Sequence, residues 1–482
     1  MLDLRPVGYV IGLLVAALGV TMLAPLLADL VGGTGAPLAF LESGLLTIAI
    51  GGMIAMACRN GLSDRLTVRD AFLLASGTWF VLPLFGTLPF ILGETELSLT
   101  DAFFESMSGM TTTGSTVISG LDDRGYGILL WRAILQWLGG VGIVVVAMIF
   151  LPVMRVGGMQ FFQSEGFDTL GKALPRAIDI SVGLINVYLV LTIAAVIAYV
   201  VLGMSIFDAV AHALTTVSTG GFSTTDKSIG GFPPAVQYAS VIFMILASIP
   251  FIRMFQLAIG QPGPILRDPQ IRTYLIWLAY ATALVVIYRA LREDTPFEEV
   301  LRFSLVNIVS FFSGTGYGTG DVTTWGPFAF MVLFMVGAIG GCTGSTGCSI
   351  KVFRYQILLR SLLVSIRKVH SPNRVARISY GGQPVETNVL DSVILMFTVF
   401  MVTFFLLIVG LSMTGLSFLS SVTAAWTAIF NVGPAFGSII TDSGSLERLP
   451  EAAKWQMIFG MYLGRLEIVS VIVVLLPRFW RA

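Results

Sequence analysis

Four short polar segments that contain glycine interrupt an otherwise apolar sequence. Each follows a stretch of helical character that is too short to cross a bilayer, and successive segments lie roughly 100 residues apart. Repetition on this scale predicts one structural unit that occurs four times and assembles with internal symmetry. The four segments are Thr112-Thr113-Gly114-Ser115, Ser218-Thr219-Gly220-Gly221, Gly314-Thr315-Gly316-Tyr317 and Asn431-Val432-Gly433-Pro434.

The composition places the chain in a membrane. Of its 482 residues, 55% are hydrophobic and 12% are charged, which excludes the ordinary soluble class. The formal net charge of zero gives no electrostatic footprint for nucleic acid, and two histidines and three cysteines leave little for a metal site. Ten apolar runs reach the length of about 20 residues that a spanning helix needs. They lie near 7–30, 38–58, 71–92, 127–152, 181–203, 235–258, 273–291, 326–350, 389–411 and 455–477.

Positive charge is distributed unevenly between the two sides that these spans define. With a cytoplasmic N-terminus, most Lys and Arg residues between the spans fall on the inner side, as the positive-inside rule requires. The largest basic segments are 153–180 and 351–388. We therefore expect both termini to be cytoplasmic.

Each polar segment lies between two spans on the outer side, after a short helical stretch. Counting back twelve residues from Gly114, Gly220, Gly316 and Gly433 gives Ala102, Asp208, Ser304 and Ser421, where these helices are expected to begin. Asp101, Asp208 and Ser421 suit a helix N-terminus, so the negative C-terminal ends would converge on the polar segments.

The sequence thus predicts an all-α polytopic membrane protein. It comprises four repeats of span, pore helix, filter loop and span in pseudo-four-fold symmetry, plus two extra N-terminal transmembrane helices. The predicted units are 1–69 for the extra helices and 70–155, 156–260, 261–388 and 389–482 for pore repeats one to four.

Glycine in these loops suits a cation site. Because glycine tolerates positive φ, successive carbonyl groups can point along one axis and replace the water around a dehydrated cation. The third loop continues to Gly318, and its Gly-Thr-Gly-Tyr-Gly resembles the Thr-Val-Gly-Tyr-Gly signature of potassium-channel filters. Pro434 removes one backbone donor behind the fourth loop, so the ring is not expected to be strictly four-fold.

Several stretches together resemble the bacterial TrkH family of the Trk/Ktr/HKT superfamily of cation transporters. They are MSGMTTTG at 107–114, HALTTVSTGGFST at 212–224, SGTGYGTGD at 313–321 and GRLE at 464–467. The resemblance covers essentially the whole chain, including the two extra spans. It implies potassium uptake across the bacterial inner membrane by a homodimer that docks on a cytosolic, TrkA-type nucleotide-binding ring. Segments 153–180 and 351–388 would form the docking face, unless they merely obey the positive-inside rule.

The resemblance also implies which residues bind the transported potassium, with no further cofactor. All four filter positions are glycine, which implies potassium selectivity, because family members with serine at the first glycine tend to favour sodium. The implied filter residues are Thr112, Thr113, Gly114, Ser218, Thr219, Gly220, Gly314, Thr315, Gly316, Asn431, Val432 and Gly433. The ion itself is expected at Thr112, Thr113, Thr219, Gly220, Thr315, Gly316, Val432 and Gly433.

The run 326–350 contains more glycine than a continuous helix favours, at about 1 kcal/mol for each glycine relative to alanine. We expect this span to break within the membrane. The resemblance implies an intramembrane gating loop here, whereas the alternative is close helix packing through small residues. The gating residues implied are Gly340, Gly341, Thr343, Gly344, Ser345 and Gly347.

Arg465 lies near the middle of the last predicted span, where a cation requires water, carbonyl groups or a carboxylate. The resemblance implies a positive barrier below the filter that takes part in gating. The alternative is a static ion pair, for example with Glu467.

Two other polar residues have more than one interpretation. His212, in the second pore helix, is expected to be a polar packing residue rather than a proton relay. Glu105 either supports the first loop by accepting backbone amides or is a solvated carboxylate at the outer mouth.

A channel-like potassium transporter is the leading hypothesis for function. Symport of potassium with protons or sodium is the alternative, and it needs a titratable group along the path. An intramembrane serine protease built on Ser115 or Ser345 lacks a catalytic partner, because His370 falls in a basic cytoplasmic loop. We therefore expect no enzymatic activity.

Overall fold

A computed structural model describes residues 3–61, 67–146, 158, 177–371, 377–437, 440 and 444–481. This part of the chain is largely α-helical. Its strands form one antiparallel pair of two residues each, Ser379–Tyr380 with Gln383–Pro384. This pair lies within the basic segment 351–388, after the helix Val352–His370. Most of the other basic segment, 153–180, and the predicted boundary between repeats one and two lie outside the described residues.

Within the described residues, seven helical segments are long and apolar enough to cross a membrane as continuous spans. They are Arg5–Gly32, Pro37–Cys58, Val68–Leu92, Tyr126–Val144, Ser181–Val201, Pro269–Ala290 and Thr387–Ser412. Two more candidates are pairs of helices with a sharp bend. Pro234–Ala247 and Phe251–Ala258 meet at 95°, whereas Glu451–Arg465 and Val469–Leu475 meet at 110°.

These breaks correct the predicted number of continuous spans. In the run 326–350, the helix Pro327–Ile339 ends at Gly340, as expected from the glycine content of this run. The runs 235–258 and 455–477, which we expected to be continuous, are broken as well. In the first of them the break coincides with Pro250, which cannot donate a helical hydrogen bond.

The two N-terminal spans pack closely through small residues. A Cβ atom added to Gly12 would lie 2.6 Å from the backbone nitrogen of Ala55, and one added to Gly19 would lie 2.8 Å from the carbonyl oxygen of Gly44. Glycine at these crossings lets the two backbones approach each other, as is common between membrane helices.

After this pair, one unit occurs four times. Each unit has a span, a buried helix that we name the central helix, a polar segment that we name the glycine loop, and a second apolar helix. The central helices are Leu99–Met110, Ile206–Val217, Phe297–Ser313 and Phe418–Phe430. The glycine loops are residues 111–117, 218–224, 314–320 and 431–437. The fold is therefore all-α and polytopic, with four repeats after two extra helices.

The remaining elements connect these units. Gly263–Arg267 precedes the third repeat, Pro477–Arg481 ends the described chain, and the spans Arg5–Gly32 and Val68–Leu92 are each made of two helices. In the described part of the chain, the short 3-10 helices are Arg59–Gly61, Leu121–Asp123, Ser228–Gly231 and Val322–Trp325.

The central helices begin earlier than the sequence register predicted. Ser98, Ser205 and Ser417 are the N-caps, and each hydroxyl accepts a hydrogen bond from the amide three residues later. Ser421 therefore lies inside its helix rather than at its start. The third central helix begins after Pro296, several residues before Ser304, because proline is favoured at a helix start.

Candidate functional site

The four glycine loops share one backbone pattern. The first half of each has two residues with positive φ, separated by one residue: Thr112 and Gly114, Thr219 and Gly221, Gly314 and Gly316, and Asn431 and Gly433. This pattern aligns Gly221, rather than Gly220, with the other three glycines. The count from Gly220 in the second loop is therefore wrong by one position. Gly220 and Gly221 are adjacent, and the sequence does not show which of them takes the left-handed conformation.

The loops contact one another in a closed ring. A Cβ atom added to Gly114, Gly221 or Gly316 would overlap a carbonyl oxygen of the following loop, whereas one added to Gly433 would lie 2.9 Å from the carbonyl oxygen of Thr113 in the first loop. The oxygens concerned belong to the residue between the two positive-φ positions of each loop. These ring carbonyls are those of Thr113, Gly220, Thr315 and Val432.

Polar side chains on the central helices form hydrogen bonds with the part of each loop that follows the loop glycine. Glu105, His212 and Asn307 occupy equivalent positions, nine residues before the loop glycine in the corrected register. Glu105 accepts from the amide of Val117 at 2.9 Å. His212 Nε2 lies 2.9 Å from the Ser223 hydroxyl, and Asn307 Nδ2 donates to the Thr319 hydroxyl at 2.6 Å.

The fourth repeat uses threonine for the same purpose. The Thr423 hydroxyl donates to the carbonyl of Phe436 at 2.8 Å and accepts from its amide at 3.0 Å. Nothing in the sequence analysis pointed to Asn307 or Thr423. For Asn307 the nine-residue spacing to the loop glycine was the available signal, but the misplaced glycine of the second loop concealed it; Thr423 lies ten residues before Gly433 and does not follow this spacing.

Glu105 is completely buried, so the interpretation as a solvated carboxylate is wrong. It forms an ion pair with Arg132, whose Nε lies 2.7 Å from Glu105 Oε1. Arg132 also donates to the carbonyl of Ser223 at 2.9 Å and stacks over the ring of Phe222. This pair therefore ties the first loop to the second. Arg132 was absent from our candidates, although a lone arginine within an apolar run was the signal.

The segment that follows Ile339, residues 340–351, is the intramembrane loop. It has no α-helix and is held by hydrogen bonds to several elements. The Cys342 amide donates to the carbonyl of Ser248 at 3.0 Å, and the Thr346 hydroxyl lies 3.1 Å from the carbonyl of Val217. Ser349 donates to the carbonyl of Phe430 at 3.1 Å. The loop thus contacts the ends of two central helices and the break in the bent pair of the second repeat.

The C-terminal part of the intramembrane loop lies against the glycine loops. The Cys348 sulfur is 3.6 Å from the Thr112 hydroxyl, and a Cβ added to Gly314 would lie 3.2 Å from the Cys348 amide. Arg465 Nη1 donates to the same sulfur at 2.6 Å and to the carbonyl of Thr346 at 3.2 Å. Arg465 is only 4% exposed. The buried guanidinium of Arg465 therefore lies beside the intramembrane loop, and Cys348 connects it to the first glycine loop.

The ion pair between Arg465 and Glu467, which was the alternative interpretation of Arg465, does not form. Glu467 instead pairs with Arg354, which follows the intramembrane loop. Among the described residues, Nε and Nη2 of Arg465 have no hydrogen-bond partner. The guanidinium is therefore held by carbonyl and thiol groups rather than by a carboxylate.

The two candidate serines have structural contacts. Ser115 donates to the carbonyl of Gly433 at 2.7 Å and so joins the first and fourth loops. Ser345 donates to the carbonyl of Cys342 at 2.6 Å within the intramembrane loop. Neither arrangement resembles a nucleophile beside its base.

Comparisons with known proteins agree with this architecture. The sequence matches the TrkH family, described as cation transport protein, over residues 37–291 and 294–481. The "Trk system potassium uptake protein TrkI" of Halomonas elongata is 36% identical, over 99% of this chain and 97% of the relative. The "Trk system potassium uptake protein TrkH" of Escherichia coli K12 is 33% identical over 99% of each chain. The crystal structure of the potassium transporter TrkH from Vibrio parahaemolyticus superposes with a TM-score of 0.90, at 32% identity over 100% of both chains.

Proposed function

The chain belongs to the TrkH family of cation transport proteins, and we propose that it takes up potassium across the bacterial inner membrane. The observation that carries this proposal is the closed ring of four loops, each of which places a backbone carbonyl against the glycine of its neighbour. Carbonyl oxygens arranged around an axis can replace the hydration shell of a monovalent cation. The names of the relatives, which are potassium uptake proteins, support potassium as that cation.

Electrostatics favour a cation at this ring. Each central helix ends directly before its glycine loop, so four helix C-termini lie next to the ring carbonyls. A helix C-terminus carries the equivalent of roughly half a negative charge. We place the ion at the carbonyl groups of Thr113, Gly220, Thr315 and Val432, with Thr112, Thr219, Gly314 and Asn431 as the next layer toward the intramembrane loop.

The intramembrane loop would close this path on its inner side. Support comes from Cys348, which contacts both Thr112 and Gly314, and from Arg465, which holds the loop through Thr346 and Cys348. A cation leaving the ring would meet the guanidinium before it reached the cytoplasm. We propose that opening moves the loop away from Arg465 and the glycine loops.

The cytosolic side would carry the regulatory contact. We propose that both termini are cytoplasmic, that the protein is a homodimer, and that a TrkA-type ring docks on the basic segment 351–388. Support comes from the helix Val352–His370, whose last turn contains Arg367 and Lys368 and is exposed.

We propose channel-like conduction rather than symport. Coupling to protons needs a group that exchanges protons with the permeation path. His212 engages both ring nitrogens, Nδ1 with the carbonyl of Asp208 and Nε2 with Ser223, each at 2.9 Å. These contacts fit a packing role.

Rubidium uptake into liposomes tests the proposal. The purified protein should take up rubidium along its gradient, potassium should compete, and an imposed pH gradient alone should drive no uptake. Uptake that requires a proton or sodium gradient would favour symport. No uptake by folded protein, with or without its cytosolic partner, would contradict the proposed function.

A further inference from the structure

The second glycine loop differs from the other three at its ring carbonyl. At this position the first, third and fourth loops have Thr113, Thr315 and Val432, whose side chains are completely buried. The second loop has Gly220, which has no side chain. A Cβ atom on Gly220 would overlap the side-chain amide of Gln136.

Gln136 occupies this space from the helix Tyr126–Val145 of the first repeat, and it is completely buried. Its Nε2 donates to the carbonyl oxygen of Gly220 at 2.6 Å, and its Oε1 accepts from the amide of Phe222 at 3.0 Å. A backbone amide can only donate, so Oε1 must face Phe222 and Nε2 must face Gly220. The chemistry of the two partners therefore fixes the orientation of the side-chain amide.

This contact is specific to one of the four ring carbonyls. Among the hydrogen bonds of the described residues, the Gly220 oxygen accepts from a side chain, whereas those of Thr113, Thr315 and Val432 do not. The Gly220 oxygen also lies against Gly114, as its counterparts lie against their own neighbours. It therefore takes part in the ring while the amide of Gln136 restrains it.

We propose that Gln136 is a positioning residue that sets potassium over sodium selection by restraining the Gly220 carbonyl. The inference rests on the proposed function. A ring carbonyl that moves freely can approach the smaller sodium ion, whereas one that a hydrogen bond restrains keeps the spacing that suits potassium. Gln136 acts through Gly220 and does not itself touch the ion.

The test compares uptake of rubidium and sodium by the full-length protein in liposomes. Gln136→Leu removes both hydrogen bonds, and Gln136→Met removes both while keeping a side-chain length close to that of glutamine. Both variants should lower the rubidium-to-sodium ratio roughly tenfold, which is the size of one or two lost hydrogen bonds. Because the ratio compares two ions through the same molecules, it does not depend on how much protein folds. If the leucine variant fails to assemble, the methionine variant, which is unbranched like glutamine, alone decides.

Gln237→Met is the matched control. Gln237 is also buried, but it donates to the carbonyl of Phe232 at 2.9 Å, outside the ring. This variant should keep the wild-type ratio. Unchanged ratios in both Gln136 variants, beside selective uptake by the wild type, would overturn this inference alone. Unselective or absent uptake by the wild type would overturn the proposed function as well.

A double-variant cycle tests whether the two residues act through one contact. Gly220→Ala should lower the ratio, because its Cβ displaces the Gln136 amide. Gln136→Ala should lower the ratio by freeing the carbonyl. The double variant should lower the rubidium-to-sodium ratio by clearly less than the two single effects combined. Additive effects would show that the residues act independently and would contradict the inference.

Discussion

Arg465 Nη1 lies 2.6 Å from the sulfur of Cys348, and that sulfur lies 3.6 Å from the hydroxyl of Thr112 in the first glycine loop. The last bent pair, the intramembrane loop and the ring are thus joined through one thiol. Arg465 is buried without a carboxylate partner among the described residues. A cation held in this way raises the energy of a second cation nearby.

Removal of Arg465 should therefore increase conduction. Arg465→Ala removes a positive charge beside the path and leaves no carboxylate unpaired, since Glu467 pairs with Arg354. We expect a folded protein with equal or faster rubidium uptake, measured in liposomes beside thermal stability in detergent. A destabilised protein with reduced uptake would refute the barrier role.

Arg354→Ala is the matched control for that prediction. It leaves the buried carboxylate of Glu467 without its partner, which typically costs about 3 to 5 kcal/mol. This variant should melt at a clearly lower temperature than Arg465→Ala. Equal melting temperatures would show that the two arginines have been assigned the wrong roles.

Serine in place of Gly114 should weaken selection of potassium. A side chain here overlaps the carbonyl oxygen of Gly220, and Gly114 has φ +83°, which serine adopts only with strain. We expect the rubidium-to-sodium uptake ratio to fall. Gly120→Ser is the control, because Gly120 also has positive φ but has open space around it. If both variants keep the wild-type ratio, Gly114 does not belong to the ion site.

Loosening the intramembrane loop should raise flux. The Thr346 hydroxyl bonds the carbonyl oxygens of Val217 and Ala247, at 3.1 and 3.0 Å, so Thr346→Val removes both contacts with little change in shape. The loss of one such contact is worth about 1 kcal/mol, so we expect rubidium uptake several-fold faster and less dependent on the cytosolic partner. Thr343→Val is the control, because the Thr343 hydroxyl has no hydrogen-bond partner among the residues that the structure describes. Slower uptake by a folded Thr346 variant would favour packing rather than gating.

Shortening the same loop is a stronger form of this test. Deletion of several glycines between 340 and 347 should raise uptake by removing the obstruction next to Thr112. A folded deletion variant that has lost uptake would favour the alternative in which the glycines only allow close packing.

Glu105 should matter for both stability and selectivity. Glu105→Gln leaves Arg132 buried without a counter-charge and weakens the support of Val117. Such a loss costs about 3 to 5 kcal/mol, so we expect a lower melting temperature together with a lower rubidium-to-sodium ratio. Glu447→Gln, at an exposed carboxylate that accepts from Ser119, should change neither quantity. Wild-type behaviour of the Glu105 variant would contradict its structural role.

Hydropathy and repetition were sufficient to predict the four repeats, because long apolar helices and glycine-rich loops are local features. They also predicted the break at Gly340, where local glycine content opposes a helix. The break between Arg465 and Val469 was missed. It includes Glu467 with φ +56°, and this residue pairs with Arg354, which lies more than 100 residues earlier. Hydropathy cannot reveal a bend that depends on a distant partner.

Contacts between repeats were the other part that the sequence did not reveal. Which of Gly220 and Gly221 faces the next loop depends on Thr315, and the absence of a side chain at Gly220 depends on Gln136. Both partners come from other repeats. The residue types in one loop therefore indicated a cation site. The alignment of that loop with the other three could be determined only from the contacts in the assembled ring.

Location of a bound ion tests the central claim most directly. Crystals soaked in thallium, a potassium substitute with strong anomalous scattering, should give a peak among the carbonyl oxygens of Thr113, Gly220, Thr315 and Val432. Excess potassium should compete the peak away, and excess sodium should not. Thallium bound elsewhere along the path with none at this ring, or displaced equally by sodium, would contradict the account.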